Sequence, residues 1–221
     1  MKAARRIALI HAVQVAMDPI RTALRAGWPE VEAVNLLDDS LSIDRAKESN
    51  LTAALSARIL NLARHAFTLD VAGILFTCSA FGPAIDQAAQ ELPVPVLKPN
   101  ESMFEAAFGF GTNIGMLATF TPAVAGMEAE FYEEAQRRHS SARLKTITVP
   151  EARAALDQGD FQTHDRRLAE RAPELAGCDA ILLAHFSTAR AAEAVRAAVS
   201  VPVLTSPESA VAKLRGLLDR L

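Results

Sequence analysis

Residues 74–102 and 181–209 of this 221-residue chain align without a gap at a constant offset, 181 − 74 = 107. Ile74-Leu75 falls on Ile181-Leu182, Val94-Pro95-Val96-Leu97 on Val201-Pro202-Val203-Leu204, and Glu101-Ser102 on Glu208-Ser209. The same offset lays residues 7–12 over 114–119. A period of half the chain, longer than the roughly 20–50 residues of solenoid repeats, implies two similar halves. The register also picks out one position. Cys78, just past the apolar run 71–76, lies opposite His185, just past the run 180–183. Two reactive side chains at equivalent strand ends point to a site with near two-fold symmetry between the halves.

Short apolar runs alternate with longer segments of helical spacing. The expected strands are 7–10, 31–37, 71–76 and 94–97, with counterparts 114–118, 144–149, 180–183 and 201–204. Ala-rich helical segments are expected at 19–26, 51–66, 83–90, 123–138, 166–175, 189–198 and 211–221. Strands alternating with helices imply crossovers and mainly parallel sheets, and uninterrupted apolar strands imply helices on both faces. The expected fold class is α/β: two similar three-layer α/β domains with mainly parallel sheets, pseudo-two-fold related, with the active site in the cleft between them. Ligands in such folds bind beyond the carboxyl ends of strands, where Cys78 and His185 fall. Gly punctuates Phe108-Gly109-Phe110-Gly111-Thr112, so the domains are set at 1–110 and 111–221, with the last helix free to pack back on the first half.

Half of the residues are hydrophobic, enough for a core in each half. A net charge of −3 without a sustained basic stretch argues against a nucleic-acid partner, and a single Trp and a single Tyr argue against base-stacking platforms. Only two cysteines occur, Cys78 and Cys178, at different points of the repeat, so no disulfide scaffold is expected. The start Met1-Lys2-Ala3-Ala4-Arg5-Arg6 imitates a signal peptide, but His11, Gln14 and Asp18 interrupt the apolar run behind it. That run also has a repeat partner inside the chain and is read as the first strand. No apolar run approaches the ~18–20 residues of a membrane span. A soluble cytoplasmic protein is expected, with homo-oligomerisation left open.

Chemistry concentrates at strand ends. In Thr77-Cys78-Ser79-Ala80-Phe81-Gly82-Pro83 the thiol precedes a helix whose first turn suits Pro83. The positive end of that helix would favour thiolate, a base or nucleophile, although an isolated Cys is as readily a buried core residue. In Leu183-Ala184-His185-Phe186-Ser187-Thr188 the imidazole titrates near neutrality and can serve as general acid or base, against the alternative of a structural histidine. Phe186 and Ser187 beside it are candidate substrate contacts, and Ser187-Thr188 could instead cap the next helix. His11 follows the first strand. Thr119 and Thr121 follow 114–118 before a helix starting at Pro122, where hydroxyls and amides would suit a carboxylate or simply cap the helix. The acidic turn Asp38-Asp39-Ser40 could position an ammonium group or a metal, or be solvated. Cys178 precedes its strand and is read as structural. His65, His139 and His164 share no metal-ligand spacing, and the glycines form no phosphate loop.

These motifs carry a resemblance. Thr77-Cys78-Ser79, Ile114-Gly115-Met116-Leu117-Ala118-Thr119-Phe120-Thr121, the paired Pro-Val motif and the duplication itself resemble the aspartate/glutamate/hydantoin racemase superfamily, which includes arylmalonate decarboxylases and maleate isomerases. The likeness spans nearly the whole chain, with the second Thr of the second motif one residue early, at Thr121. It implies two α/β domains, an active site in the cleft and no cofactor, and the lack of a readable ligand cluster in the sequence predicts no metal. In the family's racemases two cysteines on opposite faces of the substrate act as base and acid. Cys78 matches the first, and His185-Phe186 stands where the usual Cys-Thr would be.

The resulting expectation is a cofactor-independent racemase or isomerase acting on a small carboxylate, an amino acid or hydantoin-like compound, by proton transfer next to a carboxyl or carbonyl group. Cys78 would be thiolate base or nucleophile and His185 the opposing acid/base, the two facing each other, with Thr119, Thr121 and Ser79 holding carboxylate oxygens, and Thr77 and His11 at the same rim. A decarboxylase or cis–trans isomerase is the enzymatic alternative. A non-catalytic carboxylate-binding protein is the alternative of another class.

Overall fold

The structure, a computed structural model, describes residues 5–220, apart from the side chain of Pro122. The leader-like residues 1–4 and the final residue of the expected last helix, Leu221, lie outside the described residues. No helix among the described residues is long and apolar enough to cross a membrane.

Among the described residues, eight strands form two four-stranded parallel sheets. Strands β1 (Arg6–His11), β2 (Glu32–Leu37), β3 (Gly73–Phe76) and β4 (Val96–Leu97) build the first, in the order β2-β1-β3-β4. Strands β5 (Asn113–Ala118), β6 (Arg143–Thr148), β7 (Ala180–Leu183) and β8 (Val203–Thr205) build the second, in the order β6-β5-β7-β8. The pairing register repeats as well. Ile7 pairs with Gly73 and Ile74 with Val96, while Ile114 pairs with Ala180 and Ile181 with Val203. Only the second strand of each set departs from the offset, because Glu32 corresponds to Arg143, 143 − 32 = 111.

Helices cover both faces of each sheet, and side chains alternate between the faces. In the second sheet Leu117, Ile181 and Leu183 pack with Ala152 of α7 (Pro150–Asp157), Leu168 of α8 (Phe161–Arg171) and Val195 of α9 (Ala192–Ala198). Their neighbours Met116, Ala118 and Leu182 pack on the other face with Met103 and Phe104 of α5 (Glu101–Ala107) and with Met127 and Phe131 of α6 (Thr121–Arg137). In the first sheet Ala8, Ile10, Ile74 and Phe76 pack against Ile59 and Ala63 of α3 (Ala53–Phe67) and Ile85 of α4 (Gly82–Glu91). The remaining helices are α1 (Met17–Gly27), α2 (Ser40–Arg45) and α10 (Ser206–Leu218).

Helices α2, α5 and α7 were not legible in the sequence. At six to eight residues each, they are shorter than the roughly 11-residue window over which apolar periodicity declares a helix.

The chain divides into two compact units, Asn100–Ser209 and the described residues on either side of it. The sequence placed a border at 110/111, whereas the contacts place borders at Pro99/Asn100 and Ser209/Ala210. The last helix of each repeat accounts for this. Helix α5 packs in the second unit, where Phe104 and Phe108 meet the edge of Phe131 at 5.6 and 5.2 Å between centroids, edge contacts that contribute about 0.5–1.5 kcal/mol each beyond burial. Its repeat counterpart α10 packs in the first unit. There Arg215 donates to Gly27 O and Glu30, and Leu214 sits so close to Gly73 that a Cβ there would lie 2.9 Å from its Cδ1.

Candidate active site

In the first unit the ends of β1 and β3 lie side by side. Thr77 N donates to Ile10 O at 3.0 Å and extends the ladder by one residue. His11, fully buried, bonds Thr77 Oγ1 through Nδ1 and Asn35 Oδ1 through Nε2, both at 2.9 Å. An amide oxygen only accepts, so Nε2 carries the proton and the Thr77 hydroxyl donates to Nδ1. Burial lowers the His11 pKa against the opposing Asn35 bond, which keeps this neutral tautomer. Both ring nitrogens are occupied. The structure therefore places His11 at the buried end of β1, bonded to Thr77 and Asn35.

Cys78 follows in ordinary extended backbone, φ −124°, ahead of a single 3-10 turn, Ser79–Phe81, which leads into α4. The residue is half-buried and packs against the core under α3 and α4. Packing around the sulfur pushes its pKa up, and the Ala80 amide and the Arg45 guanidinium pull only partly the other way. The expectation of a thiolate favoured by the helix N-terminus is corrected here. Helix α4 starts at Gly82, beyond the intervening turn, and desolvation outweighs the Ala80 amide and the Arg45 charge, which shifts the group toward the thiol.

Arg45 closes α2, a helix the sequence reading did not contain. Arg58 holds that helix at both ends, donating to Asp38 and to Asp44 at 2.7 Å each. The acidic turn is thereby explained. Burial would raise the Asp38 pKa, but bonds from Ser40 and Arg58 and the Arg58 charge outweigh it and hold the carboxylate below its ordinary range. That carboxylate is engaged in fastening α2, and among the described residues no group of three His, Cys, Asp or Glu is arranged to hold a metal ion.

In the second unit, β5 and β7 end side by side in the same register. Ala184 N donates to Leu117 O at 2.9 Å, as Thr77 does to Ile10. His185 follows with φ +69°, a left-handed conformation that costs a non-glycine residue about 1–3 kcal/mol and persists where surrounding structure imposes it. Its Nε2 is buried and has no hydrogen-bond partner among the described residues. Burial, with the nearby Arg153 charge adding to it, lowers the His185 pKa to about 4, so the imidazole is neutral at pH 7. Arg153 comes from α7, the counterpart of α2 as the first helix after the second strand of its half. It donates to Asp157 at 2.8 Å and lies 5.6 Å over the ring of Phe120.

The other expected site residues spread over this rim. Thr119 is buried directly beyond β5, Thr121 is exposed as the first residue of α6, and Ser187 is half-buried at the start of a 3-10 turn, Ser187–Ala191. Phe186 is buried, and Ser79 is half-buried beside Cys78. The sequence reading missed Arg45 and Arg153. They stand 153 − 45 = 108 residues apart, one off the repeat offset, so an ungapped comparison sets Arg45 against Ala152 and not against Arg153.

No protein-family model and no curated protein matches this sequence. Solved structures do match over the whole chain. An allantoin racemase from Klebsiella pneumoniae is similar at TM-score 0.75 and 19% identity, covering 98% of this chain and 89% of that chain. The aspartate racemase of Picrophilus torridus is similar at TM-score 0.70 and 15% identity, covering 98% and 95%. A Gly74Cys mutant of arylmalonate decarboxylase is similar at TM-score 0.65 and 18% identity, covering 97% and 93%. The chain thus shares the two-sheet α/β fold of these racemases and this decarboxylase.

Proposed function

We propose that the protein is a cofactor-independent racemase or isomerase of a small carboxylate, with Cys78 and His185 transferring protons on one substrate. One observation carries the reading: a buried neutral imidazole and a neutral thiol stand at register-equivalent positions beyond β7 and β3. A two-group racemase needs one group ready to accept a proton and the other ready to donate one. In the resting state His185 is the acceptor and Cys78 the donor. His185 removes the proton next to the carboxyl group as Cys78 delivers its S–H proton to the opposite face of the carbon, which leaves imidazolium and thiolate. That state is the starting point for the reverse direction, so one pair of groups serves both. Thr119, Thr121, Ser79 and Ser187 hold carboxylate oxygens, and the Arg45 and Arg153 charges favour an anionic substrate. Thr77, His11 and Phe186 position these groups from beneath.

The fold likeness to arylmalonate decarboxylase and the raised thiol pKa support a second reading. If the carbanion arises by loss of carbon dioxide instead of by proton removal, the Cys78 thiol alone suffices as proton donor. NMR in D2O over amino acids, hydantoins and substituted malonates separates the two. Deuterium incorporation at the α-carbon without carbon dioxide release supports racemisation, and release from a malonate supports decarboxylation. Neither signal from any of the three classes, or unchanged turnover in Cys78→Ala, overturns the proposal in favour of a carboxylate-binding protein.

A further inference from the structure

We propose that the amino-terminal edge of the second unit's sheet, remote in the chain from the strand ends described above, is a binding site for a small oxyanion, held by Arg143 and Lys145. A cavity of about 310 Å³ lies there, lined by Asn113, Arg143, Lys145, Glu174, Gly177 and Cys178 among others. The first unit supplies an internal control. At the same register Arg6 pairs with Glu32 across β1 and β2, and Asn113 pairs with Arg143 across β5 and β6. Arg6 donates to Glu32 from Nε at 3.0 Å and Nη2 at 2.8 Å, and its Nη1 reaches Leu69 O at 3.0 Å, which closes the place with an ion pair.

The second unit has removed the carboxylate and kept a cation. Asn113 stands where Arg6 does, and Arg143 stands where Glu32 does. The Arg143 guanidinium has no side-chain partner among the described residues, and Lys145 Nζ beside it donates only to Glu174 O at 2.8 Å. The Glu174 carboxylate is already paired with Arg171. A guanidinium and an ammonium two residues apart on one strand point to the same face of the sheet and suit carboxylate or phosphate oxygens. Cys178 borders them, admitted by Gly115, where a Cβ would come within 3.2 Å of its Sγ. Ala8 and Val71 hold the corresponding positions in the first unit.

Cys178 also reports on the site. Burial raises its pKa, Lys145 opposes that and Asp179 adds to it. An anion bound by Lys145 cancels the opposing charge and shields the sulfur, so alkylation slows. The test uses the whole protein, uncharged iodoacetamide, and mass mapping of the Cys78 and Cys178 peptides separately. Inorganic phosphate and succinate are the probes, with ionic strength held constant by sodium chloride. The expected result is saturable slowing at Cys178 by about tenfold, one pKa unit of thiolate. Phosphate alone acting identifies a phosphate site, and succinate acting as well identifies a general oxyanion site. The slowing should vanish in Arg143→Ser. It should vanish equally in the double variant Asn113→Arg with Arg143→Glu, which imports the first unit's ion pair and keeps the surface paired. No slowing, equal slowing by chloride, or slowing that survives in both variants overturns the site. The proposal does not depend on the activity above, because its readout is labelling of Cys178.

Discussion

The ends of β1 and β3 and the ends of β5 and β7 occupy the same register of one repeated pattern, and they are built from opposite materials. In the first unit His11 and Thr77 form a buried polar pair, extended to Asn35. In the second, Ala118 and Ala184 stand at those two positions, both fully buried in an apolar cluster. The residue that follows differs in the converse sense. Cys78 has relaxed extended backbone and an amide beside its sulfur, and His185 has a left-handed φ and a buried nitrogen without a partner. One half satisfies the polar groups at its strand ends, and the other leaves buried polar atoms there without a partner among the described residues, His185 Nε2 and Thr188 Oγ1. Unpartnered buried nitrogens cost about 1–3 kcal/mol and are rare unless something uses them. Under the proposed function, this asymmetry supports His185 as the base and Cys78 as the proton donor to the substrate.

The largest effect should come from erasing that asymmetry. His185→Ala should lower α-proton exchange by about 10²–10⁴-fold, the usual contribution of a general base. His185→Cys should restore exchange and make the rates from the two enantiomers more alike, because both groups are then thiols. Exchange measured by NMR from each enantiomer decides this, and normal exchange in His185→Ala would remove histidine from the mechanism.

The pH profile of kcat/KM sharpens the same comparison. With His185 as base and its pKa at about 4, the acid limb should fall near that value and move in His185→Cys. With Cys78 as the thiol donor, the alkaline limb should lie above the ordinary thiol range and vanish in Cys78→Ala along with turnover. An acid limb near 6.5 would mean that His185 is not desolvated during catalysis.

Stability should follow the histidines. The unfolded His185 binds a proton below about 6.5, and the folded one only below about 4. The unfolded state thus binds more protons within that window, and acidification through it destabilises the fold, by ~3 kcal/mol at the low end for this residue. His11 is lowered as well and acts in the same direction. Urea unfolding at pH 7 and pH 4.5 should therefore differ less in His185→Leu than in the wild type. An equal difference in both would contradict the desolvated imidazole.

The smallest effect concerns the polar pair. His11→Ala and Thr77→Ala should each destabilise the protein. The double variant, which imports the Ala118–Ala184 arrangement, should cost less than the sum of the two by about 0.5–3 kcal/mol. Additive costs in denaturant unfolding would show that the His11–Thr77 bond contributes nothing.

Much of this architecture could be read from residue order. The continuous apolar runs, their alternation with Ala-rich segments and the 107-residue register gave the strands, their parallel arrangement and the equivalence of Cys78 with His185. These features are legible because burial on both faces of a parallel sheet demands uninterrupted apolar residues, and because a repeat copies register along with sequence. Helices α2, α5 and α7 escaped because they are too short to show periodicity. Arg45 and Arg153 escaped because they stand 108 residues apart, one off the 107-residue register.

The sequence by itself determined which residues are strand, which strand ends carry Cys78 and His185, and that the chain folds as two parallel α/β sheets. The tertiary structure alone decided where α5 and α10 pack, because Phe131 and Gly73 come near them only after folding. It also decided that Cys78 rests as a thiol and His185 as a free base. Protonation depends on how much water and charge surround an atom, and those surroundings are contributed by residues such as Arg45 and Arg153, each more than thirty positions away in the chain.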